Sequence, residues 1–149
     1  MRLIAVALHV LGLALWIGGL TYQTHVLLPA ARRGRAEAFV DAARRGRPAT
    51  WTAVALVVLT GFYNVTQLGP LERLMQSGAG LMLAGKFILV IGAISMAGQR
   101  DFAQLPRLAR AVQGGEDPLP TLRTMAALDH VVLLLALVII YLGVAISRA

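Results

Sequence analysis

Lys86 is the only lysine of the chain, and it lies inside the apolar run GLMLAGKFILVIGAISMAG. A charge well inside a membrane span is costly and normally faces a polar interior, where it marks a functional site. His9 stands in a second apolar run, LIAVALHVLGLALWIGGLTYQTHVLL, and a third, ATWTAVALVVLTGFYNVTQLG, carries Thr60, Asn64 and Gln67. Those three follow i, i+4, i+7 spacing and share one helical face. His9, Trp16 and Gln23 form a stripe with Gly12 and Gly19, so the histidine and the tryptophan address the same neighbours. His25 and His130 make a second pair, with Asp129 beside His130. Two neutral imidazoles from different helices are able to clamp a heme iron. Imidazole and thioether groups also suit copper, which brings in Met82, one turn from Lys86.

The elements that must position these residues are helices of a membrane protein. Hydrophobic residues make up 58% of the 149 positions and charged residues only 14%. Mean hydropathy is +0.72. Runs of roughly 20 apolar residues are long enough to cross a bilayer. Four such runs, about 3–28, 49–68, 79–99 and 125–147, predict an all-α integral membrane four-helix bundle formed by residues 1–149 as one domain. Pro48 and Pro70 flank the second span, as prolines often do at helix ends. The first run is long, carries His9 and Trp16, and lacks a small-residue cleavage site, so it is expected to be a span and not a signal peptide. Met82, Met96 and Met125 are read as packing.

Charge distribution predicts the orientation. Arg32, Arg33, Arg35, Arg44, Arg45 and Arg47 follow the first span, and Arg100, Arg107, Arg110 and Arg123 lie between the third and fourth. The positive-inside rule makes both connections cytoplasmic and both termini external, in a cell inner membrane. The net charge of +7 is then explained by topology and anionic headgroups, and nucleic acid is not expected as a partner. In that topology His9 and Lys86 both lie roughly 9–11 Å below the outer edge at the rise of an α-helix. The Thr60, Asn64 and Gln67 face reaches the same half, which predicts an outer site. His25 is about 160° around the helix from His9, so the two are not expected to face one interior. Asp129 is expected to pair with an arginine of the inner connections. Glycines at seven-residue intervals (Gly12 and Gly19; Gly78, Gly85 and Gly92) predict close helix seams, and Asp101 to Val112 predicts an amphipathic helix on the inner surface. The chain has no cysteine, which removes thiolate chemistry, and no hydrolase or nucleotide-binding motif is present.

Four stretches, HVLGLALWIGGLTYQTHVLLPA, LTGFYNVTQLGPLERLMQSGAGLMLAGKFILVIGA, QRDFAQLPRLARA and LRTMAALDHVVLLLALVIIYLG, resemble the copper-resistance D (CopD) family of membrane proteins and together cover most of the chain. The most specific marks are His9 followed seven residues later by Trp-x-Gly-Gly, Pro29 closing the span, and Lys86 opening the third. Asp129 stands where the family tends to carry glutamate. A fainter similarity reaches the HemJ-type protoporphyrinogen oxidases through His9, Trp16 and Lys86, and on that resemblance His9 and Lys86 would serve a heme or porphyrin.

The resemblance implies metal handling in the membrane, either heme or copper. The three intramembrane histidines and the glycine-lined seams favour heme b, held through His9, His25 or His130 with Lys86 on a propionate, for electron transfer or redox sensing with a redox partner. Copper transport, with His9, His25, His130 and Met82 as ligands, is the alternative. A third reading is an accessory subunit of a larger membrane complex or homo-oligomer. Reporter fusions after Arg45 and Arg110 are expected to read cytoplasmic and one near Gln76 external; an external signal after Arg45 would overturn the shared depth of His9 and Lys86.

Overall fold

The computed structural model describes residues 1–67 and 78–148, so the expected second connection, with Met75 and Gln76, lies outside the described residues. Every element among them is helical. Helix α1 (Arg2–Tyr22) runs without interruption into a π-helical turn (Gln23–Leu27), a short α turn (Leu28–Ala30) and a second π-helical turn (Ala31–Arg35). The helix breaks at Arg33 and Gly34, where Gly34 adopts φ 98°, a conformation that glycine reaches without a Cβ penalty. The chain reverses there, and α2 (Ala36–Thr66) returns along α1. Helix α3 (Gly78–Gly98) passes through a third π-helical turn (Gln99–Gln104) into α4 (Leu105–Gly114), which closes on Gly115 at φ 70° as a left-handed C-cap. Helix α5 (Leu119–Arg148) completes the chain and packs mainly on α3.

Three helical stretches are long and apolar enough to cross a membrane: Arg2–Thr66, Gly80–Gly114 and Leu119–Ala145. The first contains the reversal at Gly34, so it consists of two antiparallel arms. Outward faces carry Leu3, Leu81, Ile88, Leu134, Leu137 and Tyr141 in exposed positions, an arrangement suited to hydrocarbon and not to water.

Two apolar cores lie along the bundle. One joins Trp16, Ala53, Val54, Ala93 and Val132. The other joins Leu28, Phe39, Val40, Leu105, Leu108, Leu122 and Met125 at the arginine-rich end. This second core corrects two expectations. Helix α2 starts at Ala36, not after Pro48, and carries Pro48 within it. Proline in a helix interior costs about 3 kcal/mol, while each buried Leu, Val or Phe contributes roughly 1.5–3 kcal/mol. Phe39, Val40 and Ala43, all buried, therefore outweigh the break. Helix α4 is amphipathic as expected, but Leu105, Leu108 and Ala109 face this core and not a lipid surface.

The glycine seams are also only partly present. A Cβ on Gly12 would meet Val57 Cγ2 at 2.8 Å and the Ala53 carbonyl oxygen at 3.2 Å, whereas one on Gly19, Gly85 or Gly92 would meet nothing within 4 Å. Gly12 alone of these four sets a backbone approach, that of α1 to α2. Gly12→Ala is expected to lower stability by about 1–3 kcal/mol through overpacking, and Gly19→Ala by less than about 0.5 kcal/mol. Unfolding in detergent micelles checks this, and equal effects at the two positions would refute the seam.

Candidate functional site

Polar side chains gather in two clusters, separated by the apolar layer around Trp16, Ala93 and Val132. In the first, the His9 ring approaches α2. Its Nδ1 lies 3.0 Å from the Val57 carbonyl oxygen and 3.0 Å from Thr60 Oγ1. Thr60 donates its own proton to the Leu56 carbonyl at 2.5 Å. A carbonyl only accepts, so His9 Nδ1 carries the proton and Nε2 holds the lone pair. Gly61 makes room for this ring, since a Cβ there would lie 3.2 Å from His9 Cε1. Lys86 is within electrostatic reach of His9, and its Nζ would stand 3.0 Å from a Cβ on Gly143 of α5. The expected convergence of His9, Thr60 and Lys86 is present. Asn64 adds a buried Oδ1 with no hydrogen-bond partner. Gln67 instead is exposed and donates to Thr66 Oγ1 at 3.2 Å. Met82 is also exposed, and Trp16 is a core residue that borders the second cluster.

The second cluster centres on Arg100, only 4% exposed. Its Nε donates to Asp129 Oδ1 at 2.9 Å, its Nη1 to Asp101 Oδ1 at 2.6 Å, and its Nη2 to Gln23 Oε1. Thr24 Oγ1 lies 3.3 Å from Asp129 Oδ2, and Trp51 Nε1 donates to Asp101 Oδ2 at 3.0 Å. Four helical segments thus meet in one network around the guanidinium. The π-helical turns Gln23–Leu27 and Gln99–Gln104 supply Gln23, Thr24, Arg100 and Asp101. Such turns widen the helix locally and recur at functional sites. A cavity of about 20 Å³ adjoins the network, bordered also by Thr50 and Arg47, and is about the size of one water molecule. The expected pairing of Asp129 with an arginine is observed. Arg100 and Thr24 were not singled out by sequence reasoning as members of a site, and Gln23 was placed only in the stripe of His9 and Trp16; the available signal was the Arg-Asp pair directly after an apolar run.

His25 and His130 lie at the same level as the Arg100 network but on the outside, both exposed, with ring centroids 6.0 Å apart and planes inclined at 65°. His25 is thus turned away from the interior that His9 shares, as the angular offset predicted. Among the described residues no group of three or more His, Cys, Asp or Glu side chains is gathered for a metal ion.

Heme b does not fit these residues. The cavity at the Arg100 network holds about 20 Å³, far below a porphyrin. No slot opens between His25 and His130, because the residues preceding them, Thr24 and Asp129, already touch. His9 is bonded to α2 with no second histidine opposite. Nothing in the geometry supports a heme or an electron-transfer role.

An all-helical chain with membrane-length apolar helices and charged residues bonded between them defines a helical integral membrane protein. The chain belongs to the copper resistance protein D family, which matches residues 40–143. The match includes Lys86, Arg100, Asp101, Asp129 and His130, and begins beyond His9, Trp16 and His25. No curated protein and no solved structure matches the chain, and the fainter likeness to HemJ-type oxidases is not shown.

Breaking a buried ion pair from one side costs about 3–5 kcal/mol, because the other charge is left behind uncompensated. Arg100→Met and Asp129→Leu are each expected to destabilise by that order. The double variant should lose clearly less than the sum of the two, as a double-mutant cycle in detergent would show. Simple additivity would mean that the pair is not coupled.

Proposed function

We propose that this CopD-family protein moves copper ions across the bilayer as cargo. The observation that supports it is the presence of two ionisable clusters inside the spans, His9 with Lys86 and Arg100 with Asp101 and Asp129, at opposite ends of one apolar layer. Ionisable side chains within membrane helices are expensive, and where they face a bundle interior they mark ion pathways. On this reading α1, α2, α3 and α5 are four spans with both termini outside, in a cell inner membrane. His9 offers its Nε2 lone pair to an arriving ion, and the apolar layer at Trp16 and Val132 is the barrier that a conformational change must open.

The two clusters differ in charge, and this gives them different roles. Lys86 makes no hydrogen bond or ion pair among the described residues, so its ammonium repels a copper cation at the outer end. In the inner cluster one guanidinium faces two carboxylates, with Arg47 at the rim, and the balance is more favourable to a cation. Lys86 thus acts as an electrostatic brake on entry, and Asp129 and Asp101 as the attraction beyond it.

Copper flux into proteoliposomes tests the reading. His9→Ala is expected to lower the rate at least about tenfold, the loss typical of one weakened metal contact. Lys86→Met, which keeps length and apolar volume, is expected to raise it while membrane insertion is unchanged. A wild-type protein that carries no copper in this assay would overturn the proposal, and an unchanged rate in Lys86→Met would reduce Lys86 to a helix anchor.

A further inference from the structure

The two carboxylates around Arg100 differ in what reaches them. Asp101 receives a donor on each oxygen, Arg100 Nη1 at 2.6 Å on Oδ1 and Trp51 Nε1 at 3.0 Å on Oδ2. An ionised carboxylate only accepts, and that arrangement satisfies it. Asp129 takes Arg100 Nε on Oδ1 at 2.9 Å, but its Oδ2 faces Thr24 Oγ1 at 3.3 Å. The Thr24 hydroxyl has one proton, and the Leu20 carbonyl oxygen accepts it at 2.8 Å, the ordinary length of an O–H···O bond. Two oxygens then face each other with no proton between them unless Asp129 supplies it. A proton on Oδ2 donates to Thr24 and completes the network.

Charge balance leads to the same atom. Arg100, Asp101 and Asp129 are all buried, so two ionised carboxylates on one guanidinium leave a negative charge uncompensated in an apolar surrounding, which is strongly unfavourable. Few other charged groups face them. The π-helical turn after α1 contributes Gln23 and Thr24, both neutral. Helix α2 contributes Arg47 at the rim of the cavity, its guanidinium carbon 5.3 Å from the centroid of the exposed Phe102 ring, and Phe39, whose ring centroid lies 5.9 Å from the Arg100 guanidinium carbon. The ion pairs of Asp101 and Asp129 are with Arg100 alone among the described residues. His130, next to Asp129 on α5, is exposed and bonded within its own helix, and His9 and Lys86 lie beyond the apolar layer. A single proton brings the buried group to neutrality.

The adjoining cavity of about 20 Å³ is bordered by Asp129, Gln23, Thr50 and Arg47, a size and polarity suited to one water molecule. Ionisable side chains that face the interior of a membrane bundle mark proton relays as well as ion pathways. We propose that Asp129 is a proton-binding site inside the bundle, with its proton on Oδ2, and that a cation entering the Arg100 network displaces it. In the exchange the carboxyl O–H bond breaks, its electron pair stays on Oδ2, the proton passes to water, and the cation takes its place. Arg100 Nε holds Oδ1 in both states, as a charge-assisted hydrogen bond when the carboxyl is neutral and as an ion pair when it is not. The exchange rests on the copper reading above for the identity of the cation, whereas the proton site stands without it.

Infrared spectroscopy of the purified protein at neutral pH tests the site. Wild type is expected to show the C=O band of a protonated carboxylic acid, which is lost in Asp129→Asn and kept in Asp41→Asn, a change to an exposed carboxylate. Thr24→Val removes the acceptor of the proton and is expected to shift the band. Asparagine has the shape of the neutral acid, and its amide donates to Thr24 as the O–H does, so Asp129→Asn is expected to unfold in detergent close to wild type and well above Asp129→Leu. Copper added in weak buffer is expected to release about one proton more from wild type than from Asp129→Asn. A wild type without the band, or a band that survives Asp129→Asn, overturns the site. Equal proton release from the two proteins overturns the exchange. A wild type that binds no copper but shows the band removes the copper reading and upholds the proton site.

Discussion

The packing of the helices at the arginine-rich end depends on one buried ion pair, Arg100 with Asp129. The two side chains are 5% and 1% exposed and 2.9 Å apart. Desolvating them is expensive, and replacing such a pair with apolar residues often costs nothing. Its value here lies in directionality. A guanidinium has five donors in a planar fork, and Arg100 spends them on Asp129, Asp101 and Gln23. Asp101 is its own neighbour in sequence, but Asp129 and Gln23 belong to other helical segments, so those segments can neither rotate nor slide without leaving a donor unsatisfied in an apolar surrounding. Trp51, on α2, locks onto the far oxygen of Asp101. An apolar interface alone would tolerate several registers, whereas this network specifies one.

The same constraint explains which features were legible in the sequence. The third apolar run, expected at 79–99, is helical from the first described residue, Gly78, and continues past Gly98 through the π-helical turn into α4. The second helix begins thirteen residues before the expected start of its span, because Pro48 reads locally as a helix end. The residues that carry the helix past it, Phe39, Val40 and Ala43, act only against Leu105, Leu108 and Met125, which lie far away in sequence. Burial of Arg100 was equally invisible. By the positive-inside count it is one of ten solvated arginines, and only the π-helical turn at Gln99–Gln104 rotates it inward.

Glycine spacing shows a related limit. A period of seven identifies residues on one face without saying whether that face meets a helix or lipid. Gly12 meets α2, but Gly19, Gly85 and Gly92 face open space. The glycines that matter to the His9 cluster are Gly61 and Gly143, which belong to no such series. Each supplies volume for a side chain on another helix, His9 in one case and Lys86 in the other. Depth along the helix, unlike rotation about it, follows directly from residue count at a fixed rise, which is why the shared level of His9, Thr60 and Lys86 was readable while their supporting glycines were not.

All three histidines direct Nδ1 to a backbone carbonyl and leave Nε2 free, so their chemistry is the same and their surroundings decide what each is able to do. His9 binds across a helix interface, to Val57 and Thr60 of α2, with an ammonium nearby; an ion reaching it must overcome that charge. His25 and His130 bond within their own helices, which costs no interhelical contact and leaves both rings exposed, in a T-shaped arrangement.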